Sequence, residues 1–333
     1  MAKAPHTETG AETPPDHKDR TAGLIIFGAV SILIGAVCAL LVPLSLVAVA
    51  FSGSAAGPGV DYRSALAASA LYTVMAVVFV WLGIGSILAR PWARELLLSI
   101  SWIWLLTGIC TLLICILVVP GVMRQLGAAE ALPPELMLLV VLVTIGVVGL
   151  LYVVLPGLFV LFYRSPHVAA TCRFRHPEPQ WIDDCPQKLL TLTVVWVLAA
   201  VSVLLMPAYD FIFPFFGTLL TGAAGAALWA LVFAVCVALA VGSCRRRPWA
   251  WWSGVALTFA AALSSTVTVL RYDLAEITTL MNLPEEQVSL IVALGLPDGW
   301  PMALINALVW GTFVAYLMSL RRFFAPASPS ADG

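Results

Sequence analysis

The sequence predicts an all-α integral membrane protein of eight transmembrane helices, built as two parallel four-helix repeats with both termini cytoplasmic. Three observations carry that prediction: long uncharged apolar runs, a lopsided distribution of Lys and Arg, and a nine-residue word that occurs twice. Of 333 residues, 61% are hydrophobic and 11% are charged. A soluble domain usually carries about 25% charged residues. A helix crossing the hydrocarbon core needs roughly 20 apolar residues. Eight runs meet that requirement: Leu24–Phe51, Leu66–Leu88, Leu96–Val119, Leu136–Phe162, Leu189–Met206, Leu219–Val241, Ser253–Leu270 and Met302–Leu320. Lipid satisfies no backbone N–H or C=O, so each run closes its own hydrogen bonds as a helix. The pattern is not the short alternating strands of a barrel.

The first run follows Lys18 and Arg20 and contains Ala48-Val49-Ala50, which looks like a cleavage site. It is far longer than the roughly 7–15 residues of a signal-peptide core, and it reads as the first span. Placing the N-terminus inside puts fourteen of the seventeen Lys and Arg residues on the cytoplasmic side and leaves Arg63, Arg124 and Arg271 outside. Positive charge is retained inside during insertion, so this orientation is favoured. An odd number of spans would scramble the split.

The word GSILARPWA occupies Gly85 to Ala93, and GSCRRRPWA occupies Gly242 to Ala250, 157 residues later. Read outwards from this alignment, Leu71-Tyr72 falls opposite Leu228-Trp229, and Arg164 opposite Arg321. The chain therefore divides into a cytoplasmic tail (1–20), a first four-helix unit (21–163), a cytoplasmic linker (164–188), a second unit (189–322) and a second tail (323–333). Both tails are polar and are expected to be disordered. An even number of helices per unit keeps the copies parallel, related by a pseudo-twofold axis along the membrane normal.

Each word sits at the cytoplasmic turn between the second and third helices of its unit. Pro suits the first turn of the following helix, and Trp suits the interface. One reading is a topological anchor. The other is a cationic site, Arg90 with Arg247 and Trp92 with Trp249, that contacts an anionic lipid headgroup.

Ion-coupled transport usually places an ionisable side chain within the spans, and none falls near a midplane here. The third and seventh helices carry milder groups, among them Ser101, Thr107, Thr111, Ser264, Ser265 and Thr268. They either bond to neighbouring helices or line a polar cleft on the axis. Gly222, Gly225 and Ala226, like Gly146 and Gly149, read as close helix contacts. No phosphate-binding glycine loop, HExxH or GxSxG word is present, no catalytic residue is assigned, and the chain does not read as an enzyme.

The linker opens with Ser165-Pro166, an N-cap and first helical residue, and a short helix is expected to run to His176 before Pro177. Cys172, His176, Cys185 and His167 are soft or borderline ligands that zinc could use, although their spacing matches no standard finger. A Cys172–Cys185 disulfide is unfavoured in a reducing compartment. The alternative is a pair of buried thiols with Trp181 as an anchor. Asp183 and Asp184 are placed to pair with Arg173, Arg175 or Arg245–Arg247. No other cofactor is expected.

The stretch His167-Val-Ala-Ala-Thr-Cys172, followed by Pro177-x-Pro179-x-Trp181-x-Asp183-x-Cys185-Pro186, resembles a loop in uncharacterised bacterial multi-pass membrane proteins. The resemblance covers only the linker. It implies a bacterial inner membrane and no particular chemistry.

The outer segment from Arg271 to Trp300 carries Asp273, Glu276, Glu285, Glu286 and Asp298 against one Arg. Asn282 to Glu286 reads as a helix start leading into an interfacial helix; the alternative is an acidic lid. Two function classes follow. One is a structural or interaction protein of the cytoplasmic membrane, whose partners are the bilayer and either itself or another membrane protein. The other is a small-solute or lipid permease using the cleft between the third and seventh helices. No nucleic-acid partner is expected.

Overall fold

A computed structural model of the protein describes residues 18–52, 62–128, 134–180, 182–183, 185–280, 288 and 299–324. Trp181, Asp184, most of the expected outer-loop helix and nearly all of both tails lie outside the described residues.

The first four runs form α1 (Thr21–Ser52), α2 (Tyr62–Ile87), α3 (Pro91–Ala128) and a fourth span in three parts. That span begins as α4 (Pro134–Gly149), widens into a π-helical turn (Leu150–Val154) and continues as α5 (Leu155–Tyr163). The linker contains α6 (Pro166–Arg175). The second half comprises α7 (Gln187–Ser202), which tightens into a 3₁₀ segment (Val203–Tyr209), then α8 (Gly222–Cys244) and α9 (Pro248–Arg271). A short α10 (Leu274–Leu280) precedes α11 (Trp300–Ser319). Eight of these stretches are long and apolar enough to cross a membrane by length and composition. Large apolar side chains such as Leu40, Leu106, Leu161 and Leu308 lie exposed along them. A bilayer makes such a surface stable, whereas water would not.

Both halves are packed most tightly at the end carrying the two repeated turns. There, Leu24, Leu82, Leu97, Phe159, Tyr163, Val168 and Cys172 form one core. Leu189, Leu192, Trp196, Leu239, Trp251, Leu317 and Leu320 form the other. In the first half, α1 and α2 run in close contact. A Cβ on Gly28 would lie 2.8 Å from the Gly83 carbonyl oxygen, and one on Gly83 would lie 2.7 Å from that of Gly28. The halves meet where α3 packs on α7 and α2 packs on the 3₁₀ segment.

The π turn has a local cause. Pro156 has no N–H to give to Tyr152, and the Leu155 N–H bonds five residues back to Leu150. The Tyr152 carbonyl instead presses on Gly108 of α3, where any Cβ would overlap it. The small residues expected to make close contacts behave differently. A Cβ on Gly146 or Gly222 would meet nothing within 4 Å, so neither is a contact point; Gly225 is one, against the Phe211 carbonyl.

A β-hairpin caps the end opposite the turns, between the fifth and sixth spans. β1 (Phe213–Phe215) pairs antiparallel with β2 (Thr218–Leu220). Phe216 (φ 44) and Gly217 (φ 80) form its two-residue turn, the left-handed pair that suits strand twist.

Candidate functional site

The two words adopt the same turn. α2 and α8 each end with a residue in the left-handed region, Ala89 (φ 54) and Arg246 (φ 51), neither of them glycine. Ala89 N–H bonds Ser86 O at 2.9 Å and Arg90 N–H bonds Gly85 O at 2.9 Å. In the second turn Arg246 N–H bonds Ser243 O at 3.1 Å and Arg247 N–H bonds Gly242 O at 2.9 Å. These paired bonds satisfy the last carbonyls of each helix. Pro91 and Pro248 then open α3 and α9. The invariant glycine has a packing reason: a Cβ on Gly85 would sit 2.6 Å from that of Ala93, and one on Gly242 would sit 2.7 Å from that of Ala250. The same indole edge, Trp92 or Trp249, crosses that glycine.

The buried positions also match at the 157-residue interval. Leu82 and Leu239, Ser86 and Ser243, Ala93 and Ala250, and Val160 and Leu317 are all buried. Their polar partners differ. Ser86 Oγ lies 3.0 Å from Leu24 O and 2.7 Å from Tyr163 Oη. At Tyr163's counterpart stands Leu320, and Ser243 Oγ is buried with no hydrogen-bond partner among the described residues.

Arg90 and Arg247 are both exposed. Trp92 is half-buried and stacks on Trp81 with ring centroids 4.4 Å apart. Trp249 is 49% exposed. The four residues are therefore two related pairs in unlike surroundings.

A polar cluster that the sequence reading missed sits where α3 meets α7. Arg94 and Glu95 form an ion pair, largely buried. Gln187 Nε2 donates to Glu95 O at 3.2 Å and to Ser99 Oγ at 2.9 Å, and Thr191 Oγ1 donates to Ser99 Oγ at 3.2 Å. Arg94 Nε and Gln187 Oε1 are buried without a partner among the described residues. A Glu and a Gln at the mouths of two apolar runs were the available signal; nothing local said that they meet.

The residues read as lining a cleft have other partners. Ser101 Oγ bonds back to Leu97 O, and Thr111 Oγ1 to Thr107 O, while Thr107 is exposed on α3. Ser264 Oγ donates to Pro214 O at 2.6 Å and accepts Phe216 N–H at 3.0 Å. Thr268 Oγ1 accepts Gly217 N–H at 3.2 Å. These two hydroxyls seat the hairpin on α9 and hold Phe216 in its left-handed conformation. Asn306 of α11 donates to Ser265 Oγ at 2.9 Å and to Thr266 Oγ1 at 2.8 Å.

The linker's soft ligands are not brought together. Cys172 is buried in the first core and Cys185 in the second. His176 Nε2 lies 3.0 Å from Leu88 O, and His167 is half-buried on α6. Among the described residues no three His, Cys, Asp or Glu side chains gather as a metal site. Burial pushes the Cys172 thiol up to about 11, against the opposing pull of Arg94. Burial and the adjacent Cys244 push Cys185 up to about 12. Both are poor nucleophiles at neutral pH. The linker thus meets the first turn through His176 and the second through Cys185, beside Cys244. The carboxylate of Asp183 accepts Gln180 N–H at 2.8 Å, closing its own local turn. Comparison of the chain with protein-family models, curated proteins and solved structures finds no match.

Proposed function

We propose that this chain is a multi-pass protein of the cytoplasmic membrane that acts as a scaffold, associating with itself or with another membrane protein. It is built from two parallel four-helix units with both termini cytoplasmic. The matching turns and buried positions at one interval support the duplication, and the excess of Lys and Arg supports the orientation. One observation carries the scaffold reading over a permease: Ser264, Ser265 and Thr268 spend their hydroxyls on the hairpin, on Asn306 and on their own helix. Side chains bonded in this way stiffen a bundle by about 0.6 kcal/mol each. A solute path would leave them to solvent.

Labelling tests this choice. In a cysteine-free background, Ser264→Cys and Thr268→Cys are treated in sealed vesicles and after detergent opening with a charged, water-soluble thiol reagent. A scaffold leaves both sites unlabelled while a control cysteine at Arg90 reacts. Labelling of both at the control rate establishes a water-filled path and defeats the scaffold reading.

A further inference from the structure

We propose that the second turn, and not the first, binds the headgroup of an anionic glycerophospholipid. The proposal rests on the chain spanning a bilayer. Arg245, which closes α8, and Arg247, which precedes α9, are exposed. The guanidinium of Arg321, in the 3₁₀ turn that follows α11, lies 5.8 Å from the centre of the Trp251 ring. Trp251 is fixed in turn by donating Nε1–H to Leu317 O at 2.9 Å. Arg247 precedes Trp251 by about one helical turn. Arg321 is thus seated on the ring one turn after Arg247, and Arg245 lies two residues before Arg247 in the same turn. Neither 242–253 nor 317–324 contains an Asp or Glu, and the carboxylate of Asp183, in the linker that packs on this turn, accepts Gln180 N–H.

The surroundings select a lipid over a soluble anion. Trp252 is 62% exposed, Phe259 65% and Leu263 47%. Spaced by seven and four residues, they lie on one face of α9 and form an apolar track leading away from the arginines. A phosphodiester at the guanidinium groups with an acyl chain along that track uses both features; inorganic phosphate uses only the first. Trp249, beside the arginines, sits where an indole prefers the headgroup boundary. The first turn keeps the exposed counterparts Arg90 and Arg164, and Trp102 and Leu106 in place of Phe259 and Leu263, but it has Leu88 in place of Arg245. At the positions of Trp251 and Trp252 it holds the Arg94–Glu95 ion pair, and its Trp92 is half-buried and stacked on Trp81.

Native mass spectrometry of the purified full chain in detergent, titrated with palmitoyl-oleoyl phosphatidylglycerol or phosphatidylcholine, tests this. The wild type should retain phosphatidylglycerol in preference. Arg245→Gln/Arg247→Gln/Arg321→Gln should weaken that binding by on the order of a hundredfold, about fivefold per arginine. Arg90→Gln/Arg164→Gln should leave it within about twofold, a far smaller change than a lost charge contact gives. Equal retention of both lipids by the wild type overturns the proposal. So does equal weakening by the two variants, or displacement of the lipid by equimolar inorganic phosphate. Carbonate extraction of the same membranes reports separately on the spanning reading: a chain that stays in the pellet yet shows no lipid preference loses this site alone.

Discussion

The turn at Gly85–Ala93 and the turn at Gly242–Ala250 share a backbone and differ in nearly everything that touches it. The shared part is small residues in contact: a glycine under an indole edge, an alanine opposite, and a left-handed residue closing the helix. The differing part is polar. The first turn ties its serine to Tyr163 and buries an ion pair one turn further on. The second leaves its serine without a partner among the described residues and turns Trp249, Trp252 and its arginines outward. Close packing constrains a turn at every atom, whereas a hydroxyl or a charge needs only one suitable neighbour. The packing residues therefore stay alike while the polar residues diverge.

The largest expected effect comes from exchanging packing residues between halves. Gly108 has Ser265 as its counterpart at the same interval. Gly108→Ser forces a side chain into the Tyr152 carbonyl and should destabilise by about 3 kcal/mol, the upper end for overpacking. Ser265→Gly removes one bond to Asn306 and some helix propensity, and should cost about 1–2 kcal/mol. Steric-trap unfolding in bicelles measures both, and equal losses would erase the distinction. Next comes the ion pair. Glu95→Gln leaves Arg94 largely buried without its carboxylate, at a cost of about 2 kcal/mol, below the range for a fully buried pair. Trp252→Phe, at the matching lipid-facing position, should stay within about 0.5 kcal/mol. The same unfolding assay compares them.

The serines should then show opposite signs. Ser86→Ala breaks a bond to Tyr163 and destabilises by about 1 kcal/mol, whereas Ser243→Ala removes an unsatisfied hydroxyl and is neutral or stabilising. Thermal melts in detergent decide this, and a loss of equal size at both sites would mean that Ser243 has a partner. The smallest effect concerns pH. Cys172 and Cys185 have folded-state values raised to about 11 and about 12 from an ordinary 9.0. A raised acid keeps its stabilising contribution below the unfolded value and loses it as pH climbs through the folded one. Stability should fall from about pH 9 to 12, and the Cys172→Ala/Cys185→Ala variant should fall less over that window in pH-dependent melts.

The eight spans were legible because hydropathy sums over 20 or so residues and local errors cancel. The linker helix was legible because Ser165-Pro166 and Pro177 punctuate it; the structure places it at Pro166–Arg175, though Ser165 makes no side-chain cap bond. The hairpin was not legible. Its turn has Phe216 where Asn or Asp would be expected, and that conformation is held by Ser264 and Thr268, about 50 residues away. The π turn needed Pro156 and Gly108 to be read together, and the seam between halves needed Glu95 and Ser99 to be read with Gln187. Cys172 and Cys185 offered two readings, zinc ligands or buried thiols, and their spacing did not convey that each is drawn into a different core. What sequence spacing conveys well is which side chains share a helix face; which helices then touch is set by the whole bundle.

Two parallel units require both turns to face the same side of the membrane, and single-cysteine labelling measures this directly. In a cysteine-free background, Arg90→Cys and Arg247→Cys are treated with a membrane-impermeant maleimide in right-side-out and in inverted vesicles, with Arg63→Cys as the opposite-side reference. Parallel units predict that Cys at 90 and at 247 react only in inverted vesicles, and that Cys at 63 reacts only in right-side-out ones. Reaction of the two turn positions from opposite sides would contradict the duplication as described.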